Sequence, residues 1–259
     1  MINFILTSDT HYGFSKNTHK FHERFLLQLQ KEITFHDVKC LIHSGDWACN
    51  KQDQFERTLK MFRKYIDIPI VAVRGNHELW DKRKPKFDPI KCEMVNRRQM
   101  SWEVMDEMHK RWFKENNIHH LESGGPMVIG DVIICGFDGW YYHFNAPTND
   151  GEMIVSHVGG ATSMQYHSKR AYEALDKALQ VDTDAYRKAI CVTHHTLWVD
   201  NPHYATMTGN PSFLPHIKEK FDVLCTGHSH QYRNDTEDET LILNCGSGYD
   251  KPKYIVFGV

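Results

Sequence analysis

The sequence predicts an α/β fold with a largely parallel sheet at its centre, and two observations lead to this prediction. Short apolar runs rich in β-branched residues recur along the chain, and residues that favour turns follow each of them. Between several of these runs, apolar residues recur at the three- and four-residue spacing of an amphipathic helix. Strands that alternate with such helices form βαβ units, in which the strands are parallel.

The strand candidates extend from the beginning of the chain to its end. They are residues 4–7, 40–43, 68–73, 128–135, 189–193, 223–226, 241–244 and 254–257. The last of these runs lie close together, and the turn pattern Gly246-Ser247-Gly248 separates two of them. We therefore expect the C-terminal sheet to be mixed or antiparallel.

Apolar stripes predict helices that pack on the sheet. They are Phe21, Phe25, Leu29 and Ile33; Phe55, Leu59, Phe62 and Ile66; and Ala171, Ala174, Leu175, Ala178 and Leu179. Two stretches, 79–125 and 139–166, break this rhythm, and the first of them contains a helical segment around residues 102–113. We treat residues 1–259 as a single domain in which these stretches are insertions that could form a cap over the site.

The composition is that of an ordinary globular protein and disfavours two classes of partner. The chain is 41% hydrophobic and 25% charged, and no apolar run approaches the roughly 20 residues that span a bilayer. A net charge of −2 gives no basic footprint for extended duplex nucleic acid. We therefore expect neither extended duplex nucleic acid nor a membrane as a partner.

The cysteines indicate a reducing compartment. The chain has seven, which is an odd number, and none forms a C-x-x-C pair. Most lie in or beside the apolar runs: Cys40, Cys135, Cys191, Cys225 and Cys245. The first residues carry no basic region of the kind that begins a secretory signal, so we expect a cytoplasmic protein.

Chemically active side chains collect where the predicted strands end. These ends read Ser8-Asp9-Thr10-His11, Ser44-Gly45-Asp46, Arg74-Gly75-Asn76-His77-Glu78, Thr193-His194-His195 and Gly227-His228-Ser229-His230. Each motif alone is more typical of a turn or of a structural position. Together they indicate one site, because the carboxyl ends of parallel strands share an edge where such folds bind ligands.

The residue types at these ends are those of a transition-metal site. The candidate ligands are Asp9, His11, Asp46, Asn76, His194, His228 and His230. Mixed oxygen and imidazole donors suit Mn²⁺, Fe²⁺/³⁺, Zn²⁺ or Co²⁺ better than Ca²⁺ or Mg²⁺. The set is too large for one tetrahedral ion, but it makes two shells with open positions for water if one carboxylate bridges.

The order of motifs D-x-H, G-D, G-N-H-E, H and G-H-x-H, from residue 9 to residue 230, resembles the calcineurin-like metallophosphoesterase superfamily. The resemblance implies a four-layer α-β-β-α sandwich with mixed sheets and a dinuclear metal site at the C-terminal edge of the strands. It also implies two divalent or trivalent ions, Mn²⁺, Fe²⁺/³⁺ or Zn²⁺. By the family pattern, the ligands of the first ion are Asp9, His11 and His230, the bridge is Asp46, and the ligands of the second are Asn76, His194 and His228.

The same resemblance implies that His77 is the catalytic residue, an imidazole that contacts the phosphate and protonates the leaving oxygen. The residue after it, Glu78, either orients His77 or caps the helix that follows. The implied reaction is hydrolysis of a phosphomonoester or phosphodiester, including a nucleotide, by metal-bound hydroxide. The alternatives are a non-catalytic binding scaffold and a nuclease, both of the same fold.

The sequence departs from the family pattern at two places. Trp47-Ala48-Cys49 follows Asp46, where the protein Ser/Thr phosphatases continue with Asp-Arg-Gly, so that branch is disfavoured. Thr196 follows the pair His194-His195, where many relatives have proline. We prefer His194 as the ligand because it comes first after the strand, and His195 is the alternative.

Several other residues have a functional and a structural interpretation. Trp140, Tyr141, Tyr142 and His143 could stack a nucleobase, but core or loop packing is the preferred interpretation. Arg97 and Arg98 could bind a second phosphate, but a solvated helix face is preferred. No role is assigned to His157, His167 and His203.

Overall fold

The computed structural model describes residues 1–49, 51–79, 86–88, 93–95, 102–141, 161–198, 208–249 and 251–259. The strands are β1 (Asn3–Thr7), β2 (Val38–Ser44), β3 (Ile70–Val73), β4 (Lys86–Asp88), β5 (Glu93–Val95), β6 (His119–His120), β7 (Met127–Ile129), β8 (Val132–Phe137), β9 (Lys188–Thr193), β10 (Val223–Thr226), β11 (Tyr232–Glu237), β12 (Thr240–Cys245) and β13 (Tyr254–Gly258). The helices are α1 (Thr18–Phe35), α2 (Gln52–Tyr65), α3 (Trp102–Glu115), α4 (Leu121–Gly124), α5 (Ala161–Leu179) and α6 (Phe213–Lys220), with a 3-10 turn at His77–Leu79.

The main strands form two mixed sheets. The first has the order β13-β1-β2-β3-β6, in which β13 is antiparallel and the others are parallel. The second has the order β11-β12-β10-β9-β8-β7, in which only the edge strands β11 and β7 are antiparallel to their neighbours. The expectation of a mixed C-terminal sheet is therefore confirmed.

Alternation along the strands explains why the sheets stack face to face. In β1, Phe4 and Leu6 join a core cluster between the two sheets with residues such as Ile190 and Cys225. The residue between them, Ile5, faces the opposite way and packs with the helices α1, α2 and α3. Because successive residues of a strand point to opposite faces, each sheet has one face on its partner and one on helices.

The second sheet has the same arrangement on its other side, so the molecule has four layers. Ile133, Cys135 and Leu224 of this sheet pack with the apolar faces of α5 and α6. The four-layer α-β-β-α sandwich with mixed sheets that the sequence predicted is confirmed. Among the residues that the structure describes, no helix is both long enough and apolar enough to cross a membrane.

The sequence located the helices better than the edge strands. The run at 128–135 is in fact the hairpin of β7 and β8, and the strand expected over 68–73 begins at Ile70. Strand β11 was not predicted, because its residues are mostly polar and at least partly exposed at the edge of the sheet. In α1 the stripe is shorter than predicted, since Phe21 is exposed.

The predicted insertions lie partly within the scaffold. Residues 102–124 form α3, β6 and α4, and Trp112 and Phe113 of α3 pack in the helical layer of the first sheet. The second stretch includes the start of α5, while residues 142–160 lie outside the described part of the chain. The cap remains a prediction.

Candidate metal centre

Hydrogen bonds join the ends of β1, β2, β9 and β10, within each sheet and between the two sheets. The Ser44 hydroxyl at the end of β2 donates to the carbonyl of Thr226 at the end of β10, at 2.9 Å. The Gly227 N–H donates to the carbonyl of His194 at 2.9 Å, and the Asp9 N–H donates to the carbonyl of Gly45 at 2.9 Å. These bonds bring the polar strand ends of both sheets to one place.

Most of the candidate ligands sit on strained backbone. The φ angles of Asp9, His11, Asp46, His228 and His230 are 50°, 45°, 54°, 67° and 56°. Residues other than glycine rarely adopt this left-handed region, which costs on the order of 1–3 kcal/mol each and is concentrated at functional sites. The rest of the fold therefore holds these side chains in place at a cost to stability.

Gly45 and Gly75 allow the strand ends to approach each other closely. A β-carbon on Gly75 would overlap the Asp46 carboxylate, and one on Gly45 would lie too close to the His194 ring. Gly45 also has a φ of +92°, which strains any residue with a side chain. Both glycines of the G-D and G-N-H-E motifs therefore serve the packing of the site.

One group of ligand atoms comes from the ends of β1 and β10. The ring nitrogens of His11 and His230 and a carboxylate oxygen of Asp9 lie within 4.8 Å of one another. The two Nε2 atoms are 3.1 Å apart, and His230 Nε2 is 3.4 Å from Asp9 Oδ1. The side chains of Asp9 and His11 are completely buried.

A second group comes from the ends of β2, β3, β9 and β10. Asp46, His194 and His228 also place ligand atoms within 4.8 Å of one another. The Asn76 side-chain oxygen lies 3.1 Å from His194 Nε2 and 3.1 Å from His228 Nδ1, so it belongs to the same group. His228 and His230, which are two residues apart, thus point into different groups.

Asp46 lies between the two groups. Its Oδ2 atom is 3.7 Å from His11 Nε2 on one side and 3.4 Å from His194 Nε2 on the other. The backbone N–H of His77 donates to its other oxygen, Oδ1, at 3.0 Å. A carboxylate oxygen in this position could act as a ligand together with either group of side chains.

The family model described as calcineurin-like phosphoesterase matches residues 2–232. The chain belongs to the calcineurin-like phosphoesterase family. No curated protein sequence matches this phosphoesterase.

Two solved structures illustrate the shared fold. The phosphopantetheinyl hydrolase of Mycobacterium tuberculosis is 17% identical, with a TM-score of 0.63, and the match covers 96% of this chain and 90% of that one. A dimetal phosphatase from Danio rerio is 11% identical, with a TM-score of 0.54, over 96% of this chain and 88% of that one. At these identities the likeness shows the fold.

The charges of the phosphoesterase centre fit bound cations. Burial alone would raise the pKa of Asp9, but the hydrogen bond with His230 and the charge of His194 lower it to about 2. Burial alone would lower the pKa of His194, but its attraction to Asp46 raises it to about 9. The buried carboxylates of Asp9 and Asp46 are stabilised by positive charge nearby. The surrounding imidazole and amide groups are ligands that Mn²⁺, Fe²⁺/³⁺ and Zn²⁺ accept.

His77 lies beside both groups. Its ring centroid is 4.6 Å from that of His11, and its Nε2 atom is 3.8 Å from Asp46 Oδ2. His77 also joins a third set of possible ligands with His11 and Cys49. In the sequence, Cys49 stands out only as part of the departure from the protein Ser/Thr phosphatase pattern, because one thiol after a strand carries no signal of its own.

His195 lies outside both ligand groups. It is completely buried, with its ring centroid 4.6 Å from that of His228 and 4.6 Å from that of Tyr141. His194 instead contacts Asp46 and Asn76 directly. The structure therefore favours His194 of the two alternatives.

Glu78 binds backbone N–H groups of two turns, a role that neither sequence interpretation included. Its carboxylate accepts hydrogen bonds from the N–H groups of Asp46 and Gly75, at 2.9 and 2.8 Å. It also accepts from the N–H groups of Trp47 and Ala48, at 2.9 and 3.2 Å. It connects the turn after β2 to the turn after β3. No pattern in the neighbouring sequence predicts this role.

The remaining sequence candidates fall into two sets. Trp140 and Tyr141 are only 2% and 3% exposed and lie in the core of the second sheet, so the packing interpretation is confirmed. His167 is also buried, with its ring 4.5 Å from Trp102 and 4.7 Å from Trp140. The following lie outside the described residues: Arg97, Arg98, Tyr142, His143, His157 and His203.

Proposed function

We propose that the chain is a metal-dependent hydrolase of phosphomonoesters or phosphodiesters, with nucleotides among its candidate substrates. Family membership supports phosphoester hydrolysis, and the geometry of the centre supports metal dependence. The observation that carries the proposal is the position of Asp46 Oδ2, within 4 Å of an imidazole from each ligand group. This is the arrangement expected of a carboxylate that bridges two ions.

In this proposal Asp9, His11 and His230 hold one ion, while Asn76, His194 and His228 hold the other, and Asp46 serves both. The donor set suits Mn²⁺, Fe²⁺/³⁺ or Zn²⁺. When bound, two such cations neutralise charge on the phosphoryl group and lower the pKa of a bound water. The buried carboxylates of Asp9 and Asp46 stay ionised, since their pKa values are lowered, and their negative charge attracts cations.

His77 supplies the proton in this proposal. Its ring stands next to both ligand groups, and its backbone N–H is tied to Asp46, so the imidazole has a fixed position beside the reacting phosphate. A leaving alkoxide needs a proton, and a positioned imidazole typically contributes a factor of about 10²–10⁴ to the rate. The chemistry requires no serine or cysteine nucleophile.

The other functions that the sequence allowed have less support. A non-catalytic scaffold needs neither the complete ligand set nor His77, yet the fold brings all of them together. A nuclease that binds extended nucleic acid would benefit from positive charge, and the chain has a net charge of −2.

We also infer a cytoplasmic location and a small phosphate-ester substrate. Support for a reducing compartment comes from the cysteines, since those of the described residues are free thiols and most are buried in the sheets. Such cysteines serve as small apolar core residues.

The experiment is to measure metal content and hydrolysis together. Protein loaded with Mn²⁺ should hydrolyse a p-nitrophenyl phosphomonoester or bis-ester, and a chelator should abolish the activity. Asp46→Asn should lower bound metal and activity together. Asp37→Asn is the matched control, because Asp37 is also an aspartate with a φ of 50° but lies exposed after α1. Inactive metal-loaded protein, with unchanged metal content in Asp46→Asn, would overturn the proposal.

A further inference from the structure

Phe14 and Tyr249 form a stacked aromatic pair on the surface. Their ring centroids are 4.4 Å apart, with an angle of 25° between the rings. Phe14 is 53% exposed and Tyr249 is 41% exposed. Removal of large aromatic rings from water is favourable. Two adjacent rings with this exposure therefore mark a surface that can bind a ligand.

The pair begins at the metal centre and extends away from it. The Tyr249 ring lies 4.4 Å from that of His11 and 5.2 Å from that of His230, both candidate ligands of the first ion. It lies 6.5 Å from the ring of His77, the proposed proton donor. An ester whose leaving oxygen is at His77 would therefore have these two rings within reach of its organic group.

Both rings are carried by turns whose backbone is fixed by hydrogen bonds. The N–H of Phe14 donates to the carbonyl of His11 at 3.2 Å, and the preceding Gly13 has a φ of +96° that permits this turn. On the other side, the backbones of Gly248 and Lys251 exchange hydrogen bonds across Tyr249, the shorter of which is 2.8 Å. Rings held in this way lose little entropy when a flat group stacks on them.

We propose that Phe14 and Tyr249 determine the specificity for the organic group of the ester, and that this group is a flat aromatic ring. The inference deepens the proposed function and rests on it. A nucleobase and a simple aryl group share the required chemistry, a π-face that stacks on aromatic side chains. Trp140 and Tyr141, the rings that the sequence suggested for stacking, are buried in the core and cannot take this role.

The test compares ligands that differ only in the ring. Binding of benzylphosphonate is measured against propylphosphonate, and binding of adenosine 5′-monophosphate against ribose 5-phosphate, by calorimetry on the Mn²⁺-loaded protein. Where the esters are hydrolysed, kcat and KM are measured for phenyl phosphate and ethyl phosphate. The first pair of ligands tests binding of a simple aryl group, and the second tests binding of a nucleobase. The two comparisons therefore show which kind of aromatic ring the site prefers.

The informative variant is Phe14→Leu, which keeps an apolar side chain but removes the ring. We expect its preference for the aromatic over the aliphatic ligand to fall about tenfold, a typical value for loss of one stacking contact. In kinetics the loss should appear in KM, because stacking is the same in the bound substrate and in the transition state. The preference for phenyl phosphate over ethyl phosphate in the wild type is divided by the same preference in the variant. The different leaving-group reactivities of the two esters then cancel.

Two further variants serve as controls. Tyr249→Phe keeps the ring and should retain the aromatic preference, which shows that the ring and not the hydroxyl acts. Phe35→Leu removes a phenylalanine that is 82% exposed at the end of α1, beside the N-terminal end of β2, and should change neither ratio. Metal content is measured in each variant.

Two results would overturn the inference. One is equal affinity of the wild type for the aromatic and aliphatic members of both pairs, and the other is an unchanged preference in Phe14→Leu. Failure of the proposed function is distinguishable, because protein that hydrolyses no ester can still be scored by the binding ratios. A preference that depends on Phe14 then supports the aromatic site in a protein that is not a hydrolase.

Discussion

The carboxylate of Glu78 holds the backbone of Asp46, whose N–H donates to Glu78 Oε2 at 2.9 Å. The same oxygen accepts the N–H of Gly75 at 2.8 Å, so one atom connects the turns that carry the Asp46 carboxylate and Asn76. Glu78 is 1% exposed, which leaves these N–H groups no access to water as a substitute partner. The position of Asp46 between the two ligand groups depends on this connection.

We expect Glu78→Gln to weaken both folding and metal binding. An amide turns its NH₂ group toward backbone N–H donors on one side, so at least one buried donor loses its acceptor, at about 1–3 kcal/mol. Urea unfolding should show this loss, and metal titration should show weaker binding of at least one ion. Glu56→Gln, on the outer face of α2, is the control and should change neither measurement. Unchanged metal affinity in Glu78→Gln would mean that the turns hold their positions without the carboxylate.

Asp138 forms a second buried centre of charge, apart from the candidate ligands. Its carboxylate accepts from Arg74 Nε at 2.8 Å and contacts His120 Nε2 at 2.8 Å. Burial would raise the pKa of Asp138, but the charges of Arg74 and His120 hold it well below its usual range. We expect Asp138→Asn to lower the free energy of unfolding at neutral pH by about 3–5 kcal/mol, the usual cost of leaving a buried charge unpaired.

The effect of Asp138 should depend on pH. Its pKa is lower in the folded protein than in the unfolded chain, so its contribution is present above the unfolded pKa of about 4 and is lost as the pH falls further. The difference in stability between the wild type and Asp138→Asn should therefore shrink below about pH 4. Unfolding curves from pH 7 down to pH 3 measure it, with Asp131→Asn, an exposed partner of Arg187, as the control. A constant difference would show that the carboxylate contributes through packing alone.

The sequence predicted strands, helices and candidate ligands because these depend on local patterns, whereas the four layers followed from the family resemblance. Alternation in β1 and the stripe of α2 indicate which face is buried, and strand ends such as Gly45-Asp46 carry the candidate ligands directly. The strand β11 was missed because an edge strand exposed on both faces needs no apolar pattern.

The supporting residues of the site could not be predicted in the same way. Glu78 acts on backbone groups some thirty positions earlier in the chain, and nothing in the letters around it specifies that contact. Phe14 and Tyr249 lie at opposite ends of the sequence and meet only because β1 and β12 end at the same edge. The sequence could offer only Trp140 and Tyr141 as rings for stacking, with packing as the preferred interpretation, and the fold buries them.

We expect His77→Gln to separate catalysis from metal binding. The ligand groups that hold Asp46 do not include the His77 side chain, so the variant should keep its metal content. Its kcat should fall by about 10²–10⁴, the usual contribution of a general acid. The loss should be smaller for an ester with an acidic leaving group such as p-nitrophenol, which needs less protonation. His216→Gln, an exposed histidine of α6, is the control, and retained turnover in His77→Gln would remove His77 from the catalytic role.

The neighbouring histidines His194 and His195 should differ sharply when each is changed to glutamine. His194 Nε2 contacts both Asp46 and Asn76, so His194→Gln should lose the second ion and most activity. His195 lies outside both groups and contacts the ring of His228, so His195→Gln should keep both ions and lose affinity at most about 10–100-fold, as expected for a supporting residue. Metal analysis after gel filtration, with thermal unfolding to confirm that both variants are folded, measures the difference. If His195→Gln loses an ion while His194→Gln retains both, the assignment of the pair is reversed.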